Sequence, residues 1–517
     1  MTVSNMISKL RMSSNISQEQ LAELLAVSVQ SVQGWENGTV TPELEKLIKI
    51  SEYFNISLDS LILDSNNTTK ALKPKYENIH EWEFYASNLA TEYQQAVEEG
   101  LDLSEYEAVF AAVSQLPKNE IKEKLGDVLF DAVLNAERAK GYKYIEPSEL
   151  EEIRSLRKGF QPLPPVDSNS LESKIYGAWM GRICGCLLGK TVEGIRTDEL
   201  IPFLKETGNY PMHRYILRSD LSKDIINKYK FPFENSCYAD NVDGMPVDDD
   251  TNYTVLAQEI IEKYGRSFTP YDVSRAWLAL QSKDAYCTAE RVAFCNFVKG
   301  YAPPESAAYK NPYREWIGAQ IRGDYFGYIN PGNPEMAAEM AFRDASISHV
   351  KNGIYGEMFV ASMLAAAACT DNIRDIILSG LSQIPYTSRL YEAITDILIG
   401  AEQGVSQSDC FADIHRRYNE YTTHGWCHTI SNAMIVSASL LYGNGDFGKS
   451  ICMAVETGFD TDCNGATVGS VLGMANGIDS IDEVWKKPIN DTLHTSIFGV
   501  ATTKISERVK QTLRHIL

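Results

Sequence analysis

Two short acidic runs carry most of the chemistry this chain could perform. Asp248-Asp249-Asp250-Thr251 precedes the apolar-periodic stretch NYTVLAQEIIEKYG, and Asp460-Thr461-Asp462-Cys463-Asn464 precedes GATVGSVLGMANG. Neighbouring carboxylates repel one another, which is tolerable when they are solvated, hydrogen-bonded or bound to cations. Helix capping is one explanation, because the positive end of the helix dipole favours acids at a helix start. A second run of the same form supports another. Two oxygen-rich loops, each opening a helix, suit a pair of hard cations. Mg²⁺ takes oxygen ligands in near-octahedral geometry and keeps several waters. Two such ions can activate a water and polarise the oxygen of the bond being broken. Asp460 and Asp462 are two residues apart, so in a loop or extended segment both carboxylates can point the same way. Neither run contains histidine, and oxygen-ligated Mg²⁺ needs none.

The elements that must position these runs are helical. Apolar residues recur at helical spacing through most of the chain, there is little strand signal, and the expected fold class is all-α. The glycines behind Asp462 allow a helix to approach a neighbour closely. Length suggests several domains, and the expected boundaries are 1–65, 66–165 and 166–517. The first ends before the polar linker Ser65-Asn66-Asn67-Thr68-Thr69-Lys70. The second is a helical accessory region ending at Gly159-Phe160-Gln161-Pro162-Leu163-Pro164-Pro165, where proline forbids helix continuation. It carries no recognisable chemistry. No apolar run is long enough for a membrane helix and the first residues lack a signal-peptide core, so a cytoplasmic protein without a membrane partner is expected. The ten cysteines form no zinc-binding pattern. A net charge of −21 argues against non-specific binding of the whole chain to nucleic acid.

Residues 1–65 contain SQEQLAELLAVSVQSVQGWENG, which reads as two short helices, the first capped by Ser17 with Gln20 in a capping box and the second capped by Ser28. Over about 60 residues, with WENG and the final SLDSL among the matching pieces, this segment resembles the helix-turn-helix domain of XRE-like repressors. The resemblance implies a second helix entering the major groove, and Gln18, Ser28, Gln30, Ser31 and Gln33 are the candidate DNA-binding residues. Val29 and Gly34 stand where such domains often carry Arg and Lys. Only four basic side chains face eight acidic ones across residues 1–65. A retained module for dimerisation or partner docking is therefore the competing expectation. A homodimer is expected because such domains usually act in pairs.

Four further pieces, in order, resemble the ADP-ribosylglycohydrolase family, to which dinitrogenase reductase-activating glycohydrolase belongs. They are YGAWMGRICGCLLGKTVEG, DDDTNYT, FRDASISHVKNGIYGEMFVASMLAAAA and GNGDFGKSICMAVETGFDTDCNGATVGSVLGMANG. The resemblance implies a helical hydrolase domain holding two Mg²⁺, with Mn²⁺ as an alternative. Asp249, Asp250, Asp460 and Asp462 match the family's metal ligands. Asp248 stands where the family has Thr or Ser, and Cys463 where it has Thr. Sulfur is a poor Mg²⁺ ligand, so Asp248 could supply the oxygen that Cys463 lacks. Glu193 matches the flap glutamate, and Asp249, Asp250 and Glu193 are the candidate catalytic residues. His349 matches the histidine at the ADP-ribose side of the pocket. Trp316, Gln320 and Arg322 complete the candidate substrate contacts, although an Arg322–Asp324 ion pair is an equally simple use of that arginine.

The segment from Glu315 to Asp324 departs from the family's small, polar phosphate loop, which leaves the substrate open. The expected reaction is hydrolysis of a glycosidic bond in an ADP-ribosyl or related ribosyl group, on an ADP-ribose-containing or nucleoside-like substrate. The alternative is a transcription regulator that senses ADP-ribose or a nucleotide metabolite without turnover.

Overall fold

A computed structural model of the protein describes residues 3–62 and 73–516. The linker expected at 65–70 lies outside the described residues. The chain divides into two compact units, Met1–Tyr76 and Glu77–Leu517.

The smaller unit is a set of helices around an apolar centre of Ile7, Leu21, Leu25, Val32, Trp35 and Ile50. Its second helix, Gln18–Leu25, is opened by Ser17, whose hydroxyl accepts from Gln20 N in a full capping box. The third, Val29–Glu36, is capped by Ser28, which accepts from Ser31 N. The tight connection between them needs Ala26 in the left-handed region, at φ 53°. Arg11 donates to both oxygens of Glu36, at 2.6 and 3.0 Å, and so ties the first helix to the third.

The larger unit is also helical. Its strands among the described residues are Thr492–His494 and Thr502–Lys504, paired antiparallel with Leu493 opposite Thr503. The all-α expectation therefore holds for both units, with this one hairpin added. Two nearly all-buried helices form its centre, Leu171–Lys190 and Thr461–Asn476. Each carries glycine at every fourth position: Gly177, Gly181, Gly185 and Gly189 on the first, Gly465, Gly469 and Gly473 on the second. A spacing of four keeps the glycines on one face. A side chain at Gly185 would collide with the Gly465 carbonyl, and one at Gly181 with that of Gly469. The two backbones thus touch directly. This contact brings the end of the first glycine helix against the start of the second, since a side chain at Gly189 would strike the Thr461 carbonyl.

Residues 77–165 fold as part of this unit. Their helices Leu89–Glu98, Glu107–Ser114 and Glu120–Leu134 pack beside it, and Leu89–Glu98 sends buried side chains inward. Arg314 donates to Glu92 at 2.8 Å and to Glu99 at 2.6 Å. Gln95 Nε2 donates to Glu315 at 2.6 Å, and Arg389 bridges Glu146 and Glu315. A buried charge needs such partners, because desolvation of an unpaired ion costs several kcal/mol.

Candidate functional site

Asp248 caps the helix Asp249–Tyr264, its carboxylate accepting from Asp250 N at 2.9 Å. The capping explanation of this run is therefore correct for Asp248, and it leaves the next two carboxylates to be accounted for. In the second run Gly458 (φ 77°) and Phe459 (φ 59°) both adopt left-handed backbone. They turn the chain sharply into the second glycine helix, with Asp460 at its N-cap and Asp462 in its first turn. The Phe459 carbonyl accepts from the Trp426 indole, which helps hold that unusual turn.

The glycine contact brings the two runs together. Oxygens of Asp248, Asp249, Asp250 and Asp462 all lie within 4.8 Å of one another. Asp248, Asp250, Asp460 and Asp462 are buried, and Asp249 is half-buried. Two cations answer them, both from the first glycine helix. Lys190 Nζ lies 2.7 Å from Asp248 Oδ2. Arg182 donates to the Asp250 carbonyl and carboxylate and to the Ile321 carbonyl, and pairs with Asp324 at 2.8 Å. This balance leaves negative charge over. Burial and then the charges of Asp248 and Asp462 push Asp249 up to about 7. Burial and Asp248 push Asp462 up to about 6. Asp250 and Asp460 are also raised, by burial first.

Asp250 Oδ2 and Asp462 Oδ1 are buried with no hydrogen-bond partner. Buried carboxylate oxygens without donors are costly. Several oxygens converging on one point, short of donors and with excess negative charge, fit hard dications. Cys463 lies beside Asp250 and Asp462, but burial and those charges hold its thiol protonated, so it is a poor ligand.

A cavity of about 130 Å³ opens onto this cluster. Glu193, Asp249, Asp460, Asp462, Cys463 and Trp316 line it. Glu193 is solvent-exposed by area yet feels Asp462, Asp248 and Asp249, and the charge of Asp462 above all raises its carboxyl well above the usual range. Asp248 and Asp250 lie behind the lining. The other candidates are placed elsewhere. Arg322 is buried in an ion-pair network with Asp344, Glu290 and Glu357, rather than with Asp324. His349 is buried with Nδ1 2.8 Å from Ser348 Oγ, is held neutral by burial, and lines a separate cavity of about 180 Å³ beside Pro304 and Phe342. Gln320 is buried with both amide atoms unpartnered, outside the lining.

Several site residues escaped the sequence reading. Glu290, in the first turn of Thr288–Val298, lines the cavity, accepts from the Arg322 guanidinium at 2.8 Å, and is pushed up to about 7 by burial. Trp82, Trp426 and Cys287 also line it. Lys190 stood within the quoted GKTVEG, and a basic residue adjoining an acidic site was the available signal.

The ADP-ribosylglycohydrolase family profile matches residues 167–513. The chain belongs to the ADP-ribosylglycohydrolase family. A second profile, described as helix-turn-helix, matches residues 7–61. The chain is 36% identical over 73 residues to the HTH-type transcriptional activator BcrR of Enterococcus faecalis. That stretch is 14% of this chain and spans about a third of the relative (36%). A solved structure titled ADP-ribosylglycohydrolase-related protein complex aligns at 16% identity and a TM-score of 0.41, covering 67% of this chain and 98% of the other. Both acidic runs and the glycine helices fall inside the matched residues, whereas Trp82 and Glu98 precede them. Among the described residues no helix is long and apolar enough to cross a membrane.

Proposed function

We propose that the larger unit hydrolyses the glycosidic bond of an ADP-ribosyl or related ribosyl group at a two-cation centre. The observation that carries this reading is the convergence of Asp248, Asp249, Asp250 and Asp462 at the floor of a cavity, with buried oxygens of Asp250 and Asp462 lacking partners. Asp249, Asp250, Asp460 and Asp462, with Asp248, would hold two Mg²⁺ or Mn²⁺. When bound, such ions lower the pKa of a water and bind sugar hydroxyls. Asp249 faces the cavity while Asp250 is held by Arg182, so Asp249 is the group placed to take the water's proton. Glu193 lines the same cavity, where it can give a proton to the leaving atom. The cavity of about 130 Å³ is small beside the ~300–1,000 Å³ of drug-sized pockets. It seats one ring-sized group, with the rest of the substrate outside.

The test is release of ADP-ribose from N-linked and O-linked ADP-ribosyl peptides by the full-length chain. EDTA should abolish release and Mg²⁺ or Mn²⁺ restore it. Activity untouched by exhaustive chelation would end the proposal.

A second reading, a regulator that senses ADP-ribose or a nucleotide metabolite, is favoured by the helix-turn-helix unit. Gln30 and Gln33 are exposed on its third helix, where they could read bases. Ser28 and Ser31 are engaged with each other in the cap, and Gln18 donates to Glu36 at 2.7 Å. Single-turnover product assays separate sensing from catalysis. Absence of binding to the chain's own promoter DNA at low salt would remove the DNA-binding reading, and light scattering would decide whether it is a homodimer.

A further inference from the structure

One wall of the acidic cavity comes from outside the family-matched residues. Trp82 lies in the short turn Glu81–Glu83 and lines the cavity together with Trp316 and Trp426. Both half-buried indoles, Trp82 and Trp426, pack on a buried cluster that includes Trp316 and Tyr313. Trp82 is held from both sides. Its backbone N–H donates to His80 Nδ1 at 3.3 Å. The next residue, Glu83, accepts from Arg291 at 2.7 Å and also pairs with Lys283. The Arg291 guanidinium sits 5.8 Å from the Trp82 ring, within cation–π range, and follows the cavity residue Glu290 directly.

A second link runs from Glu98, the last residue of Leu89–Glu98. The Trp316 indole N–H donates to His424 Nδ1 at 3.1 Å, and His424 Nε2 lies 3.0 Å from Glu98 Oε2. An indole can only donate, so His424 carries its proton on Nε2 and gives it to the carboxylate. His428 has the same tautomer: the Ile430 N–H donates to its Nδ1 at 3.1 Å, which leaves the proton on Nε2, 3.7 Å from the same Glu98 oxygen and without a hydrogen bond to it. Glu98, His424 and His428 could be taken for a transition-metal site, with ligand atoms within 4.8 Å. The tautomers oppose that. Neither Nε2 has a lone pair to give unless the bond from Trp316 or Ile430 is broken. The cluster is a carboxylate held by one imidazole N–H, that of His424, with the second imidazole beside it but not bonded to it. Backbone bonds Ile317 N to Cys427 O (2.8 Å) and Thr429 N to Glu315 O (3.1 Å) fix the chain at Trp316. The His424–Glu98 link fixes what these cannot, the rotation of the indole.

We infer that residues 77–165 form part of the substrate pocket, with Trp82 as a specificity-determining wall and Glu98 as a positioning residue that acts on Trp316 through His424. Trp82 closes the cavity to single-ring size, and so selects substrates whose bulk beyond the ribosyl ring stays outside. The substrate part of this rests on the proposed function; the wall and the link do not.

The test uses the full-length, Mg²⁺-loaded chain, with ADP-ribose as the binding probe and an ADP-ribosyl peptide as the hydrolysis probe. Trp82→Ala should raise Kd and KM about tenfold or more with a much smaller change in kcat, and Trp82→Phe should recover most of the loss. Unchanged Mg²⁺ affinity and thermal melting in both variants exclude simple misfolding. Nitrogen NMR of labelled histidine, which needs no ligand, should find His424 protonated at Nε2, with that resonance displaced in Glu98→Ala. Wild-type Kd and KM in Trp82→Ala overturn the wall, and a His424 protonated at Nδ1 overturns the link. A wild-type chain that binds and hydrolyses nothing overturns the proposed function, while the NMR result still decides the link.

Discussion

At the scale of single residues, the centre depends on which atoms are left without partners. Asp248 Oδ1 caps a helix and Oδ2 holds Lys190, yet its oxygens remain in the carboxylate cluster, whereas Cys463 offers only a protonated thiol. Asp248→Ala should therefore weaken Mg²⁺ binding on the order of 10–100-fold, while Cys463→Ala changes it little. Calorimetry on the two variants checks this, and equal, negligible losses would refute it. His428 makes a separate prediction. Burial, then the neighbouring His424, pushes it down to about 4 from 6.5. A histidine with a depressed folded pKa contributes stability above about 6.5 that is lost as pH falls toward 4, because the unfolded chain binds the proton first. Asn can replace its capping role, so His428→Asn should lose less stability than wild type between pH 6.5 and 4 in denaturant titrations. Parallel losses would show that another group sets the slope.

At the scale of elements, the glycine helices do the positioning. Lys190 and Arg182 lie on one, Asp460 and Asp462 at the start of the other, and only backbone-to-backbone contact lets them meet. Gly469→Ala places a methyl against the Gly181 carbonyl, where neither backbone can yield. It should cost about 1–3 kcal/mol, the usual range for overpacking, and weaken Mg²⁺ binding as well. Gly400→Ala is the matched control: it lies in Arg389–Glu402 with its added methyl in ordinary contact with Val405. That change should be neutral or stabilising by up to ~1 kcal/mol. If chemical denaturation found both substitutions equal, the close crossing would not matter to stability.

At the scale of the whole molecule, stability should depend on cations and on pH together. Asp249 and Asp462 are raised from 3.8 to about 7 and about 6. Without metal, a carboxyl with a raised folded pKa contributes stability at low pH that is lost as pH rises through the folded pKa. Bound dications require the ionised carboxylates and reverse that penalty. The rise in Tm on replacing EDTA with Mg²⁺ should therefore be larger at pH 8 than at pH 5. A larger rise at pH 5 would contradict the assignment of these groups as ligands.

The acidic runs, the glycine spacing and the helix caps were legible in the sequence because each is a local pattern whose physics acts within a few residues. Ser17, Ser28 and Asp248 cap the helices that follow them, and the periodic apolar stretches are helical. The order of motifs identified the family for the same reason. Long-range pairing was not legible. Arg322 bonds Asp344 and Glu290 instead of its neighbour Asp324, which goes to Arg182, because ion pairs form across packed helices without leaving any trace in spacing. Nor did spacing place residues 77–165 beside the cavity. Trp82 and Glu98 look like ordinary surface-helix residues until packing brings Arg291 and His424 against them. Sequence determined which elements form and which side chains could bind cations; tertiary packing decided which of those side chains share a cavity.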